Sequence, residues 1–236
     1  MMFSKKLSDG LVNSHHSQAK KKTTLYLYST IWGREVFSND VIVATEETTG
    51  YVAVFDPLDG SSNVDAGIPT GTIFGVFSSD TDLNGHNDEH RHLQDILQPG
   101  RNLVAAGYCL YSSAVTLVFT LGNGVVGFTL DESIGEFRLT HKIKIPQRGK
   151  IYSFNESNRH QWDLAQQNYI IDLQQGLGES KQHYTSRYIG SMVADVHRTL
   201  LYGGIFGYPS DNKNRNGKLR LLYGTCRIFA HARTTM

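Results

Sequence analysis

The chain has 236 residues, 39% of them hydrophobic, which is enough for one large or two small domains with a real core. It carries 23 basic and 22 acidic residues, and this balance argues against a nucleic-acid-binding protein, because such proteins usually have a strong excess of positive charge. Its two cysteines cannot form a disulfide framework, so we expect a reducing, intracellular compartment. The chain contains no uninterrupted run of about 18 apolar residues, so no membrane span is predicted.

Residues 1–45 differ in composition from the rest of the chain. Five lysines stand against a single acidic residue, Asp9, before Glu35, and few of these residues are apolar. Because such a segment cannot bury a core, we predict that it is a disordered or divergent N-terminal segment. A transit peptide is the weaker interpretation, since such peptides are usually rich in arginine and the first 33 residues contain none.

From Tyr51 onward, short apolar runs alternate with glycine-containing turns, a pattern typical of β-strands. Strands are predicted at 51–55, 72–77, 103–111, 115–121, 125–130, 136–140 and 151–154. A turn-rich segment is predicted at 56–69, an exposed polar loop at 78–100, a tight hairpin at 122–124 and a break at 146–149. The regular structure expected between residues 51 and 154 is therefore β-strand.

Two helices are predicted in the second half. Apolar residues between 162 and 173 recur at near-helical spacing. The segment 191–202 has one apolar face, and Gly203 and Gly204 end it. Together, these strands and helices predict an α/β fold in which layered mixed sheets are covered by helices.

The densest group of functional side chains is the run 55–63, Phe-Asp-Pro-Leu-Asp-Gly-Ser-Ser-Asn. Asp56 and Asp59 follow a predicted strand, with Pro57 fixing the backbone between them and Gly60 allowing a sharp turn. Carboxylates are the ligands that Mg²⁺ prefers, and the N–H groups and hydroxyls after Gly60 are suited to a phosphate. The alternative is an ordinary surface turn, because all these residue types other than Phe and Leu favour turns.

Glu46 and Glu47 follow another apolar run and would add two carboxylates near the same strand ends. Four carboxylates so close together would repel one another strongly without cations between them. Taken alone, the pair is also compatible with a solvated acidic surface.

Five separated segments together resemble the class I fructose-1,6-bisphosphatase family. They are 51–63, 97–108, 149–156, 187–195 and 216–223, and they occur in the family's order. The resemblance implies an αβαβα-type sandwich that is incomplete at both ends. It implies a metal-binding subdomain at 46–145, a substrate-binding subdomain at 146–223 and a divergent tail at 224–236.

The resemblance also implies roles for individual residues. The implied metal ligands are Glu46, Glu47, Asp56, Asp59 and the carbonyl of Leu58, which would hold Mg²⁺, with Mn²⁺ or Zn²⁺ as alternatives. The implied substrate contacts are Asp59, Gly60, Ser61 and Ser62 for the 1-phosphate, and Asn155, Arg187, Tyr188, Tyr208 and Lys218 for the 6-phosphate and sugar. The implied catalytic residues are Glu47, which helps to remove a proton from the attacking water, Asp59, and Arg220 close to the metals.

The implied activity is metal-dependent hydrolysis of the 1-phosphate of fructose 1,6-bisphosphate, in gluconeogenesis, sucrose synthesis or the Calvin cycle. Arg187 matches an arginine that reaches a neighbouring subunit's site, which implies a homo-oligomer, a tetramer in the family. The expected location is the cytoplasm. A plastid is the alternative, because 107–109 and 152–155 are most similar to plant or algal relatives.

Two other functions stay open. One is an inositol-phosphate-type phosphatase, and the other is a catalytically impaired fragment or non-catalytic subunit, because Gly224 stands where the family has a metal-binding acid.

Overall fold

A computed structural model describes the backbone of residues 34–38 and 41–45, and residues 51–78, 97–212, 214, 215 and 217 in full. Its largest element is an antiparallel sheet of eight strands that lie side by side in chain order. The strands are β1 (Arg34–Ser38), β2 (Val41–Thr45), β3 (Tyr51–Asp59), β4 (Thr70–Ser78), β5 (Leu103–Tyr111), β6 (Val115–Thr120), β7 (Val125–Asp131) and β8 (Glu136–Ile143).

A second, smaller sheet is parallel and has three short strands. They are β9 (Ile151–Ser153), β10 (Thr185–Ser186) and β11 (Ile205–Phe206), in the order β10-β9-β11. Parallel neighbours need long crossover connections, and helices α1 (Leu164–Gln175) and α2 (Met192–Tyr202) lie in those connections. Short 3-10 helices occupy Ser61–Asn63, Gly100–Asn102 and Glu156–Gln161.

The layers follow from the alternation of side chains along β9. Tyr152 packs into a cluster with Trp162, Ile170 and Leu173, on the side of α1. The next residue, Ser153, points the other way and contacts α2. Because α2 also packs on β4 and β5, the order of layers is large sheet, α2, small sheet, α1. This arrangement confirms the α/β class, and the described residues hold four layers of the implied five-layer sandwich.

Helix α2 is the central element because both of its faces are covered. Val193, Val196 and Leu200 are almost completely buried against the large sheet. Full burial of an aliphatic side chain of this size stabilises a fold by about 1.5–3 kcal/mol. The helix ends at Gly203, whose positive φ of 71° no residue with a side chain adopts readily. Among the described residues, no helix has the length and apolarity to span a membrane.

The seven predicted strands and both predicted helices are confirmed, with ends shifted by a few residues. The predicted start of the turn at Asp56 is wrong, because β3 continues to Asp59. Asp56 pairs with Ile73, and Asp59 pairs with Gly71 after a shift of register. Pro57 lacks an N–H for the ladder, yet the strand resumes because the extra residue is accommodated as a bulge.

Two other predictions concern segments that the structure describes only in part. The sequence predicts no element within residues 1–45, whereas β1 and β2 lie inside that segment. They form because β3 offers its edge to β2, and β2 in turn pairs with β1. The predicted loop at 78–100 lies largely outside the described residues, which resume at Leu97.

His197 on α2 gives the fold a pH dependence that can be measured. Its Nδ1 lies 2.8 Å from the buried hydroxyl of Tyr108, and burial, aided by the nearby His141, lowers the pKa of His197. Above about pH 6.5 the histidine is neutral in both the folded and the unfolded chain, so its contribution to the free energy of unfolding is complete. As the pH falls below that value, the unfolded chain binds the proton more readily, and stability is lost until the folded pKa is reached.

We therefore expect wild type to lose more unfolding free energy between pH 7.5 and pH 5.5 than His197→Gln, by at most about 1.4 kcal/mol per pH unit. Urea unfolding at each pH measures this difference. His160→Gln, an exposed histidine on the third 3-10 helix, is the matched control and should behave as wild type. Equal pH dependence of wild type and His197→Gln would contradict the expectation.

Candidate metal and phosphate site

The bulge at the end of β3 carries the two aspartates of the acidic turn. Asp56 folds back on the bulge, since its Oδ1 accepts a hydrogen bond of 3.1 Å from the backbone N–H of Leu58. On the other side, the Thr72 hydroxyl donates to the carbonyl of Pro57 at 2.9 Å. The bulge is therefore fixed by hydrogen bonds at both of its central residues.

A second hydroxyl extends this support into the sheet. The Tyr111 hydroxyl lies 2.8 Å from Thr72 Oγ1. Burial raises the pKa of Tyr111, so its hydroxyl stays protonated at neutral pH. Tyr111 can then donate to Thr72 while Thr72 donates to the bulge.

The turn after Asp59 lies against the N-terminus of α2. Asp59 Oδ2 accepts a hydrogen bond of 2.9 Å from the backbone N–H of Val193, in the first turn of the helix. The helix dipole favours a negative charge at this position. Asn63, at the end of the adjoining 3-10 helix, donates from its side chain to the Gly190 carbonyl at 3.1 Å. These contacts hold the acidic turn against the start of α2, although the bonded residues are more than 120 positions apart in the sequence.

Gly60 is required at the point where the turn meets the helix. Its φ is +77°, and a Cβ at this position would lie 2.9 Å from Ser191 Oγ. After it, Ser61 and Ser62 begin a 3-10 helix with exposed side chains. The first N–H groups of such a helix have no acceptor within it, so they are suited to bind an anion.

Next to the turn lies a cleft with a volume of about 250 Å³. Asp59 and Met192 form the side next to the acidic turn and α2. The other walls are formed by Asn155, Asn158, Trp162, Tyr188, Tyr208, Pro209 and Asp211. The cleft thus has a carboxylate at the metal side and mostly neutral donors and aromatic rings elsewhere.

The two tyrosines of the cleft act as a pair. The Tyr188 hydroxyl interacts with both the Tyr208 hydroxyl and the Asn155 side chain. Burial, followed by the interaction with Tyr188 and the negative charge of Asp59, raises the pKa of Tyr208 well above its usual range. Burial likewise raises the pKa of Tyr188. Both phenols therefore stay protonated and can donate hydrogen bonds to an anion.

The structure brings part of the predicted site together. Asp59, Asn155, Tyr188 and Tyr208 line one cleft, although they come from β3, the segment after β9, the segment after β10 and the segment after β11. Asp56, Leu58, Gly60, Ser61 and Ser62 adjoin it along the same strand and turn. Arg187 is exposed and donates to the neighbouring Ser186 carbonyl at 2.9 Å. The predicted residues Glu46, Glu47, Lys218 and Arg220, and Gly224, lie outside the described residues.

Sequence reasoning missed five residues of the cleft, among them Met192 at the start of α2 and Pro209. Asn158 and Trp162 reach it from the third 3-10 helix and its end, and Asp211 follows Pro209 on the opposite wall. In the sequence, Trp162 contributes only to a helical apolar pattern. Besides the resemblance of 149–156, the run of polar residues 155–161 is the signal in the sequence that points to this segment.

The donors at the bulge fit a hard divalent cation. Asp56 and Asp59 supply carboxylates and Leu58 supplies a carbonyl, and an all-oxygen set suits Mg²⁺ or Mn²⁺ better than Zn²⁺, which favours nitrogen and sulfur. Within the fully described ranges, no three His, Cys, Asp or Glu side chains come together. The described part of the chain therefore supplies only some of the ligands of such a site.

Thr72→Val tests whether support from behind the bulge matters for the metal. The substitution keeps the shape and removes the donor to Pro57, so we expect Mg²⁺ affinity to fall about tenfold, the usual effect of losing an outer-shell hydrogen bond. Calorimetric titration with Mg²⁺ measures it. Thr129→Val removes a hydroxyl from a 3.0 Å pair with Thr140 on the same sheet and should leave the affinity unchanged. Equal affinities for the two variants would contradict the expectation.

Comparison with known proteins gives a consistent result. Family models described as "Fructose-1-6-bisphosphatase, N-terminal domain" and "C-terminal domain" match residues 28–142 and 145–231. The chloroplastic fructose-1,6-bisphosphatases of Spinacia oleracea and Brassica napus are 55% and 56% identical to this chain over 197 and 196 residues. Each match covers 78% of this chain and 47% of the relative, so the chain spans about half the length of these relatives.

Solved structures of Leishmania major fructose-1,6-bisphosphatase have the same fold. The holo form has a TM-score of 0.77 and 42% identity, and the match covers 89% of this chain and 67% of that one. The apo form has a TM-score of 0.79 and 38% identity, with 98% and 78% covered.

Proposed function

Since the chain belongs to the fructose-1,6-bisphosphatase family, we propose that its cleft hydrolyses the 1-phosphate of fructose 1,6-bisphosphate to fructose 6-phosphate and inorganic phosphate. The observation that carries the proposal is the placement of Asp59 on one side of a single cleft and the Tyr188–Tyr208 pair with Asn155 on another. A sugar with two phosphates needs two such regions, one that reacts and one that only binds.

The reactive end is the acidic turn. Asp56, Asp59 and the Leu58 carbonyl, together with Glu46 and Glu47, would hold a divalent cation, with Mg²⁺ favoured over Zn²⁺ on the chemistry of its ligands. When bound, such a cation lowers the pKa of a water and offsets the charge of the phosphate.

The turn itself holds and orients the substrate. The N–H groups and hydroxyls of Ser61 and Ser62 bind the 1-phosphate, and Gly60 lets the backbone approach it closely. Glu47 accepts the proton of the attacking water as the bond between phosphorus and the sugar oxygen breaks, and Arg220 offsets the negative charge on the phosphoryl oxygens. The backbone N–H of Val193, at the start of α2, donates to Asp59 and keeps this carboxylate aimed at the cleft.

The binding end uses neutral donors together with a lysine. Tyr188, Tyr208 and Asn155 donate to the 6-phosphate and sugar, and Lys218 supplies a positive charge. Trp162 lines the wall beside them. Fixed donors of this kind favour a phosphate at one position only, which directs the other phosphate to the acidic turn.

Assembly and compartment follow as parts of the same proposal. Arg187 is exposed just after β10, where its guanidinium is accessible to a second subunit, in agreement with a homo-oligomer, for which the family precedent is a tetramer. The relatives in Spinacia oleracea and Brassica napus are chloroplastic, which favours a plastid over the cytoplasm and a place in the Calvin cycle.

The other activities considered from the sequence are less well supported. An inositol-phosphate-type phosphatase is not favoured, because both family models and the relatives compared above are fructose-1,6-bisphosphatases. A catalytically impaired or non-catalytic member is not favoured either, since the chain is 55% and 56% identical to the chloroplastic fructose-1,6-bisphosphatases compared above.

Phosphate release from fructose 1,6-bisphosphate by the purified 236-residue chain tests the function. We expect release with Mg²⁺, loss of release with a chelator, and recovery when Mg²⁺ is added back. Inositol 1-phosphate serves as the comparison substrate and should be hydrolysed far more slowly. A folded sample that releases no phosphate from fructose 1,6-bisphosphate, or that prefers inositol 1-phosphate, would contradict the proposal.

A further inference from the structure

Helix α2 contains a carboxylate that the proposed reaction does not use. Asp195 is fully buried, in a helix whose other buried side chains are mostly apolar. Its carboxylate accepts hydrogen bonds from Ser153 Oγ at 2.6 Å, Arg198 Nη2 at 2.6 Å, the Ile189 N–H at 3.1 Å and the Gly190 N–H at 3.1 Å. Four donors thus converge on one buried charge.

The donors belong to the two segments that supply the binding end of the cleft. Ser153 is the last residue of β9, two positions before Asn155. The N–H groups of 189 and 190 directly follow Tyr188 in the chain. The carboxylate of Asp195 therefore joins the backbone that carries Asn155 to the backbone that carries Tyr188.

Arg198 adds a further link to the same loop. Besides its ion pair with Asp195, it donates from Nη2 to the carbonyl of Arg187, the residue before Tyr188. The loop 187–190 is thus held at both ends by the Asp195–Arg198 pair. Tyr188 lies between these two attachment points, and its hydroxyl meets both Tyr208 and Asn155.

The pair is not arranged for stability alone. A buried charge is costly unless fully compensated, and well-packed apolar residues often replace such pairs without loss. In the described part of the chain, Arg198 Nε is buried without a hydrogen-bond partner, which is a further cost. The directed hydrogen bonds to two separate segments are what an apolar replacement would lack.

We propose that Asp195 is a positioning residue that sets the relative placement of Asn155 and Tyr188, and thereby the affinity of the cleft for the phosphate-bearing sugar. The identity of that sugar as fructose 6-phosphate or its 1,6-bisphosphate rests on the proposed function. Asp195 itself does not touch the ligand. Its loss should therefore weaken binding more than it slows the chemical step at the acidic turn.

Ser153→Ala is the sharpest test because it removes one donor to Asp195 and leaves the ion pair with Arg198 intact. Thr199→Val is a matched control. The Thr199 hydroxyl is also buried and donates at 2.8 Å to Asp195, but to its backbone carbonyl and not to its carboxylate. Both variants lose one buried hydroxyl hydrogen bond to the same residue, and urea unfolding establishes how similar their stabilities are.

For Ser153→Ala we expect KM for fructose 1,6-bisphosphate to rise about tenfold while kcat changes less than about twofold, since a hydrogen bond to a charged group is lost at the binding end. For Thr199→Val both constants should stay within about twofold of wild type. Equal KM values for the two variants, or a fall in kcat alone, would overturn the proposal.

Calorimetric binding of fructose 6-phosphate separates this proposal from the proposed reaction. The dissociation constant should rise about tenfold in Ser153→Ala and not in Thr199→Val. If wild type binds fructose 6-phosphate but releases no phosphate from the bisphosphate, the proposed reaction fails and the positioning role is judged on binding alone. If wild type does not bind fructose 6-phosphate, the positioning role fails as well.

Discussion

Replacing Asp59 with asparagine should lower Mg²⁺-dependent phosphate release at least about 10³-fold, which corresponds to about 4 kcal/mol of lost transition-state stabilisation. Asp59 occupies the point where the acidic turn, the cleft and the N-terminus of α2 meet. Asparagine has the same shape and can still accept a hydrogen bond from the Val193 N–H. It lacks the charge that a divalent cation requires, so the loss should appear in activity and Mg²⁺ affinity and hardly in folding.

Initial rates over a range of Mg²⁺ concentrations measure this effect. Asp65→Asn is the matched control, because Asp65 is an exposed aspartate six residues further along, just after the 3-10 helix. It should keep its rate within about twofold, as surface substitutions usually have small effects. If Asp59→Asn kept more than about a tenth of the wild-type rate at saturating Mg²⁺, the acidic turn would not be the reactive end.

Gly204→Ala should lower the unfolding free energy by about 3–5 kcal/mol, through backbone strain and steric overlap together. Gly204 has a φ of +109°, and a Cβ there would lie 2.2 Å from the carbonyl oxygen of Ile151. This close approach brings β11 beside β9 just after α2 ends. Because whole domains are stable by about 5–15 kcal/mol, a loss of this size should leave much of the protein unfolded at moderate temperature.

Two other glycines separate the contributions to this effect. Gly67 has a φ of +67°, and among the described residues other than its own chain neighbours no atom lies within 4 Å of the place that a Cβ would take. Gly67→Ala should therefore cost only the backbone strain, about 1–2 kcal/mol. Gly178 has the same open surroundings within the described part of the chain and no positive φ, so Gly178→Ala should change stability by less than about 0.5 kcal/mol. Urea unfolding of all three variants measures these differences. If Gly204→Ala were no less stable than Gly67→Ala, the explanation by steric overlap would be contradicted.

Local patterns in the sequence predicted most of the fold. Alternating apolar residues and glycine-containing turns predicted β5 with correct ends, and the apolar face of 191–202 predicted α2 within one residue. The extension of β3 could not be predicted in this way. Pro57 normally interrupts a strand, and the bulge is stabilised by the hydroxyl of Thr72, whose position depends on the pairing of β3 with β4.

The site was predictable only in part for a similar reason. The acidic turn is contiguous, so its composition alone indicated a metal and a phosphate. Asn155, Tyr188 and Tyr208 were named only through the resemblance to a known family, because three separate connections bring them together. The contacts of Asp195 join segments up to 42 residues apart, and no spacing rule connects a helical aspartate with a serine on a strand.

Locating a cation and a sugar phosphate in crystals of this chain tests the two-ended cleft most directly. Crystals grown with Mn²⁺ and fructose 6-phosphate would show the cation by its anomalous scattering. We predict Mn²⁺ at the carboxylates of Asp56 and Asp59, and the 6-phosphate in contact with the hydroxyls of Tyr188 and Tyr208. A cation bound elsewhere, or a phosphate group bound away from these tyrosines in a cleft that holds the sugar, would contradict the assignment of the two ends.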